Sequence, residues 1–511
     1  VLLAPLPVAR AQESPPTAFP RAAIEAVLAT GFEAVLERHL EPVAPGDLAL
    51  WSLRGLVALD PALAVELRDG QFRLLGAAPN GAVLAARRAP AIGPRAPPGP
   101  AAAALAEAMA PLLDAAWAVS PAVRGAGAEG VLRSLFDELF NHLDPYSRYV
   151  PPADARAARE RRIGHAGLGL RLAAGRGGAV LIAGVVPGSA AARAGLRVGD
   201  RLLAVEGERV SAEALDVAIA RLEGPADSIA TLLVARGRRR REVLMVRTPV
   251  PPETVSAERR DGILWLRLSG FSNASDEQLA VALADAFGRQ VRRPPRGVVL
   301  DLRGNRGGLL SQAVAVTDLF LAGGEIVRTV GRHPDAGRLY LASGPDLTGG
   351  RPIVVLVDGR SASSSEIVAA TLADRGRAVV VGSATMGKGL VQLLVPLPDG
   401  GELLLSWSRV LAPRGWPIQA LGVLPTVCTS LGADATAQAV ARLLAGEVPM
   451  AAALARHRAA RVPVPAADAA ALRSACPPAE GRDTDQSIAR LLLDNPIAWQ
   501  AAVAAVAPRG R

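Results

Sequence analysis

Between residues 131 and 140 the apolar positions Val131, Leu132, Leu135, Phe136, Leu139 and Phe140 fall on one helical face, and Asp144-Pro145 stops that helix. Upstream, residues 13 to 125 mix Ala-rich helical stretches with a Pro-rich linker at 89–105, and 45–88 carries only a weak strand signal. Past Ile163 the period shortens. Residues 163–250 read as short strands at 179–186, 199–210 and 230–236 with a helix near 212–222. From 251 to 430 strands and helices alternate: strands at 263–271, 297–305, 353–359, 377–382, 390–397 and 402–412, with helices at 276–291, through 314–322, and from Ser363 to about Arg375. That alternation predicts an α/β domain whose sheet is largely parallel and covered on its faces. Residues 431–511 return to an Ala-rich helical pattern with Pro-rich breaks. The chain is therefore expected to divide at 1–12, 13–125, 126–162, 163–250, 251–430 and 431–511.

Half of the 511 residues are apolar, enough for two to four domains with substantial cores. The 57 Lys+Arg against 48 Asp+Glu give a net charge of +9, but the basic residues are scattered, with short runs only at 159–162 and 236–241. Three Tyr and eight Phe, not interleaved with those runs, argue against a nucleic-acid platform. The first twelve residues, VLLAPLPVARAQ, lack Met, carry a short apolar run and end in Ala9-x-Ala11, resembling the tail of a secretory signal, so export to the periplasm or cell envelope is expected. Elsewhere charge, Gly or Pro interrupts apolar runs before 18 residues, and no transmembrane segment is expected. Cys428 and Cys476 can pair in an oxidising compartment, and no cluster of metal-ligand type is present in the sequence.

Three stretches carry candidate chemistry. Residues 382–388 have the G-x-x-x-x-G-K outline of a phosphate loop, but the next position is Gly389, with no hydroxyl for a metal, and a strand follows rather than a helix; nucleotide binding is excluded. Lys388 is then either a turn lysine or an amine held among Val391, Leu393, Leu394 and Val395, where burial disfavours its charged form. The stretch SASSSE, Ser361 to Glu366, sits where a strand passes into a helix. Ser363 and Glu366 there fit a capping box, and the same position places a hydroxyl at a helix N-terminus beside N–H groups suited to an oxyanion. Gly307 and Gly308 turn the chain after a strand bearing Asp301 and Arg303 and allow a close backbone approach. The five histidines offer no obvious Ser/His/Asp setting, so a lysine base fits a serine nucleophile better.

Taken in order, LDPYSRYV (143–150), a PDZ-like module, DLRGNRGGLL (301–310), the serine run beginning at Ser361, TMGKGLVQ (385–392) and PRGWPIQALGVLPT (413–426) resemble the C-terminal processing peptidases, the tail-specific serine proteases, over residues 130–430. The resemblance implies a mixed-sheet catalytic domain with crotonase-like βαβ elements, an inserted PDZ-like β-rich domain, and helical N- and C-terminal segments. It implies Ser363 as nucleophile, Lys388 as base 25 residues later, Gln392 as its orienting partner, and an oxyanion hole from the Ser364 amide with that of Gly307 or Gly308. It implies that Gly167, Leu168, Gly169 and Leu170 receive a substrate's C-terminus, with an apolar pocket from Leu168, Leu170 and Ala192. No metal or cofactor is implied. Expected partners are polypeptides with apolar C-terminal tails, with room for an activating or adaptor protein and a homo-oligomer. Arg306, Ser364 and the missing Asp after Pro425 depart from the family's common pattern. The alternative reading is a catalytically inactive PDZ-containing peptide-binding or scaffold protein.

Overall fold

A computed structural model describes residues 18–76, 81–93, 95–186 and 188–505; the stretch read as an export-signal tail lies outside them. The chain divides into two compact units, Val1–Arg156 with Thr329–Arg338 and Leu390–Arg409, and Ala157–Arg328 with Leu339–Gly389 and Val410–Arg511. This division cuts across the linear partition expected from the sequence, because the segment just after Lys388 belongs with the N-terminal unit.

In the first unit the helices Arg21–Arg38, Pro45–Leu59, Pro98–Val119 and Pro121–Asn141 pack with a three-stranded antiparallel sheet, Leu63–Arg68, Gln71–Gly76 and Val83–Arg88. The region 45–88 is thus a helix followed by a sheet. Its core joins Phe32, Leu53, Phe72, Met109 and Phe136, and the helical stripe read at 131–140 lies within it. Among the described residues Pro98–Val119 is the one helix long and apolar enough to cross a membrane. Here Leu105, Met109 and Trp117 face the core while Glu107 and Asp114 are exposed, the pattern of a core helix. Leu390–Pro396 and Glu402–Leu411 form an antiparallel hairpin that adds Leu403 and Leu405 to the same core.

A polar knot lies at one side of this unit. Asp144 accepts from Ser147 Oγ, from Ser406 Oγ at 2.8 Å, and from the N–H groups of Tyr146 and Ser147, and its Oδ2 lies 3.1 Å from His39 Nε2. Three chain segments so distant in sequence meet only in the fold. No Ser/His/Asp setting is obvious in the sequence; the structure supplies one, but its carboxylate binds the serines directly and His39 is fully buried, so its role is structural. The hydrogen bonds hold the Asp144 carboxyl well below the usual range, against the effect of burial.

The second unit begins with a small β module. Strands run in the order Arg239–Val246, Ile229–Arg236, Arg201–Val205, Val180–Val185 and Leu170–Ala174, with helix Leu215–Leu222 beside the last. Its core is Leu168, Ile182, Ala191, Leu202, Leu232 and neighbours. The basic run at 236–241 forms the hairpin turn between the first two of these strands.

The larger sheet has the order Val255–Arg260, Ile263–Leu268, Gly297–Asp301, Ile353–Val357, Ala378–Gly382, Val427–Cys428; the first pair is antiparallel and the others parallel. Gly297–Asp301, Ile353–Val357 and Ala378–Gly382 are buried at every position, which is why they read as unbroken apolar runs. One face, with Val299, Val354 and Val379, packs against Ile488, Leu492, Ala498 and Ala502 of the C-terminal helices. Helix Ser364–Asp374, buried along its whole length, lies against Leu310–Asp318. The carboxyl ends of the parallel strands therefore carry Asp301, Asp358, Ser383 and Thr429, the end where open sheets of this kind gather their sites.

Candidate active site

The strand Ile353–Val357 delivers the chain to a turn clamped by its own polar residues. Asp358 Oδ1 accepts from the N–H groups of Gly304, Arg360 and Ser361 at 2.9, 3.1 and 2.9 Å, and Ser361 Oγ donates to Leu302 O at 2.8 Å. Ala362 N–H then donates to Asn305 O at 3.0 Å. The next residue, Ser363, stands at φ 55 and ψ −114, a backbone conformation that costs a non-glycine residue roughly 1–3 kcal/mol. An ordinary N-cap is extended. The strain is held by the bonds on either side and turns the half-buried Ser363 out at the start of the Ser364–Asp374 helix.

The glycine pair lies directly against this turn. A Cβ on Gly307 would stand 2.8 Å from both Ala362 O and Ser363 Cβ, and one on Gly308 would stand 2.1 Å from Phe271 O, so no other residue fits at either position. Gly307 N–H donates to Asn305 Oδ1 at 2.8 Å. Among the hydrogen bonds of the described residues, none uses the Gly308 or Ser364 N–H. Ser364 Oγ donates to Gly308 O at 3.1 Å, tying the helix start to the glycine pair.

Lys388 comes to the same place through one buried carboxylate. Glu366, with no exposed surface, takes the N–H of Ser363 at 2.7 Å and that of Lys388 at 2.9 Å on the same oxygen, Oε2; its other oxygen takes Gly387 N–H at 2.7 Å and the Thr385 hydroxyl. The main chains of Ser363 and Lys388 are thus two hydrogen bonds apart. Burial pushes the Glu366 carboxyl up, and four donated bonds oppose that by favouring the anion. The loop is held from the other side as well, by Met386 N–H on Ser361 O, Val423 N–H on Thr385 Oγ1 and Gly389 N–H on Gln419 Oε1. A Cβ on Gly389 would stand 2.1 Å from Gln419 N, so the hydroxyl residue a phosphate loop needs has no room.

Lys388 is moreover the only lysine of the chain; every other one of its 57 Lys+Arg residues is arginine. Gln392 sits on Leu390–Pro396, where its Nε2 donates to Tyr146 O. Asp301 and Arg303 form a bidentate pair at 2.9 and 2.8 Å, with Arg303 also on Asp485, a structural bond rather than a site. The capping-box reading of Glu366 gave only its bond to Ser363; its bonds to the lysine loop were invisible at a spacing of about twenty residues.

A profile of peptidase family S41 matches residues 262–429, and one of the PDZ domain matches 181–236. Over 290 residues the chain is 33% identical to the carboxyl-terminal-processing protease of Picosynechococcus sp., covering 55% of this chain and 69% of that protein. The chain belongs to peptidase family S41. It is also 35% identical over 288 residues to the carboxy-terminal-processing protease of Bartonella bacilliformis, covering 56% of this chain, and 29% identical over 306 residues to the carboxy-terminal processing protease CtpA of Bacillus subtilis, covering 59%. It spans 59% to 66% of the length of four such curated relatives, 66% for the Bartonella protein and 64% for the Bacillus protein. Among solved structures, the photosystem II D1 C-terminal processing protease matches at 28% identity and a TM-score of 0.34, over 59% of this chain and 87% of that one.

Against the S41 pattern, the departures at the site are local. Arg306 is exposed beside Gly307, and Ser364 uses the extra hydroxyl on the Gly308 carbonyl. In the PDZ domain, Leu170–Ala174 is the last strand of its sheet, so one side of it is an open edge within that sheet. Gly167 ends the strand His165–Gly167, paired with Thr248–Val250, and Gly169 turns at φ 77 before the edge strand. Of the residues read as an apolar pocket, Leu168 is buried in the domain core, while Leu170 and Ala192 are half-buried.

Proposed function

We propose that this chain is a serine endopeptidase of the C-terminal processing type, with Ser363 as nucleophile and Lys388 as general base. The observation that carries the reading is the single lysine. Guanidinium groups stay charged at any working pH and serve most of the ion pairs among the described residues, whereas an amine can shed its proton. A chain that uses arginine in place of every other lysine keeps its single side-chain amine beside a strained serine, where it can act as a base.

In the reaction, the neutral Lys388 amine takes the Ser363 proton as Oγ attacks the scissile carbonyl carbon. The oxyanion is received by the Ser364 N–H at the helix start and by that of Gly308, since Gly307 already donates to Asn305. The Lys388 ammonium gives its proton to the leaving amine as the C–N bond breaks. Water then attacks the acyl-enzyme, with Lys388 again as base, and the released Ser363 hydroxyl is restored. The family resemblance implies Gln392 as the residue that orients the lysine. No metal or cofactor enters these steps. The parallel βαβ succession fits the crotonase-like architecture that the family resemblance implies.

The PDZ edge strand Leu170–Ala174 offers a ladder for an extended peptide, with N–H groups of Leu168, Gly169 and Leu170 for its terminal carboxylate and Leu170 for an apolar last side chain. Substrates are therefore polypeptides with apolar C-terminal tails. The joined Cys428 and Cys476 favour an oxidising compartment, the periplasm or cell envelope.

The test is cleavage of an unfolded protein ending in an apolar tail by wild type, Ser363→Ala and Lys388→Arg. Turnover by wild type alone, with tail binding retained in all three, supports the reading. Equal cleavage by wild type and Ser363→Ala removes Ser363 as nucleophile, and tail binding without any cleavage favours the scaffold alternative.

A further inference from the structure

The S41 profile ends at residue 429, yet the chain beyond it returns to the site. Residues 473–485 cross the carboxyl ends of four strands in turn. Gly359 N–H donates to Ala479 O at 2.7 Å, and Ser383 Oγ and the main chain of Ala479 bond each other at 2.9 and 3.0 Å. Arg303 Nη1 donates to Arg482 O at 2.7 Å, and Thr429 Oγ1 donates to Asp485 Oδ1 at 2.7 Å. The Cys428–Cys476 disulfide fastens this segment covalently to the last strand of the sheet.

At the head of the segment, helix Ala466–Arg473 ends in a guanidinium aimed at the lysine loop. Arg473 Nη2 donates to Thr385 O at 2.8 Å and Nη1 to Leu421 O at 2.8 Å. Nη1 also stands 3.2 Å from where a Cβ on Gly387 would be. Thr385 and Gly387 are two of the residues that Glu366 holds from inside. Glu366 is also the charge that opposes burial in keeping Arg473 protonated, so the buried anion and this cation face the same loop.

We propose that Arg473 is a positioning residue for Lys388, supplied by the C-terminal extension and held in place by the Cys428–Cys476 disulfide. The extension is then part of the catalytic centre: Glu366 fixes the N–H side of the lysine loop and Arg473 fixes its carbonyl side. The inference rests on Lys388 being the base, but the brace itself can be read without catalysis.

The full chain is compared as wild type, Arg473→Ala, Arg473→Lys and wild type treated with a thiol reductant, which has only the one disulfide to open. Two quantities are measured: amide hydrogen exchange across residues 383–389, and kcat and KM on an unfolded protein with an apolar tail, with Ser363→Ala as the inactive reference. In Arg473→Ala exchange in that segment rises about tenfold or more while the PDZ and N-terminal amides keep their protection. The kcat falls roughly 10- to 100-fold, as for a misplaced catalytic group, with KM within about twofold. Arg473→Lys recovers part of both, because the ammonium keeps the charge and reaches one carbonyl; if Arg473→Ala unfolds outright, the lysine variant and the reductant decide. Reduction moves both quantities in the same direction. Unchanged exchange overturns the brace, and unchanged kcat in an enzyme whose Ser363→Ala form is inactive overturns its part in catalysis. Undiminished cleavage by Ser363→Ala sinks the dyad instead, and the exchange data still decide the brace.

Discussion

On the proposed reading, Lys388 and Glu366 divide one task between a side chain that reacts and one that aims it. Arginine at 388 would keep charge and length yet could not accept a proton, so Lys388→Arg is expected to fall to the turnover of Ser363→Ala in a steady-state assay. Glu366→Gln exchanges one acceptor oxygen for an amide that meets N–H or O–H donors on every side. Leaving a buried donor unmatched costs about 1–3 kcal/mol, and we expect a lower denaturation midpoint together with lost kcat at unchanged KM. Wild-type stability in Glu366→Gln would remove Glu366 as the organiser of the site. At the N-terminal knot, Asp144 works by the same rule without any reaction. Its native carboxyl titrates lower than in the unfolded chain, so the unfolded chain takes up protons first as pH falls. Its stabilisation is complete above the unfolded value, near pH 4, and fades below it. Asp144→Asn should lower the midpoint at neutral pH and flatten the acid limb of a midpoint-against-pH series.

Single elements carry their own signatures. The turn from Ile353–Val357 to Ser364–Asp374 combines a fully apolar strand with a run of serines and aspartate, and the sequence shows both halves because each is local. The Ala451–Ala459 helix is different: its buried His457 meets Trp416 edge-on at 4.9 Å, and the adjacent Arg458 pairs with buried Asp374 at 2.8 Å. Burial, then the nearby Arg458 charge, depresses His457 to about 4. The unfolded chain protonates this imidazole near pH 6.5 while the native one resists until about 4, so stability falls as pH drops through that window. Thermal midpoints of wild type should decline from pH 6.5 to 4, and His457→Gln should decline less; parallel slopes would exclude His457 as the cause. In the PDZ domain the edge strand is the proposed seat of the substrate tail, so it would set affinity rather than chemistry. Leu170→Asp is expected to raise KM for an apolar-tailed substrate about tenfold or more while leaving kcat at saturation, read from full Michaelis curves.

At the scale of the whole chain, the α/β alternation of 251–430 was legible because strands buried on both faces must be apolar throughout and helices must cover them. The β module at 163–250 was legible from its shorter period and turn glycines. The N-terminal segment was legible as helical, but its three-stranded sheet showed only as a weak strand signal within 45–88, and its packing was not legible, since alanine-rich stretches carry little periodic contrast; their burial comes from partners far along the chain, including Leu403 and Leu405. Apart from the cysteine pair, the C-terminal extension gave no signal of reaching the site, because most of its bonds there run to or from main-chain carbonyls and N–H groups, which carry no sequence code.

By itself the sequence determined the types of element, the serine at a strand-to-helix junction, the glycine pair and the one lysine, since each is set by local backbone geometry or by the chemistry of a single residue type. Tertiary structure alone decided that Glu366 joins the serine turn to the lysine loop, that Gly307's amide is spent on Asn305, and that Arg473 returns from beyond residue 429 to brace the same loop. Those are hydrogen bonds across long stretches of chain. Their partners are chosen by where the folded backbone brings donors and acceptors out of water, a choice that no local pattern of residues records.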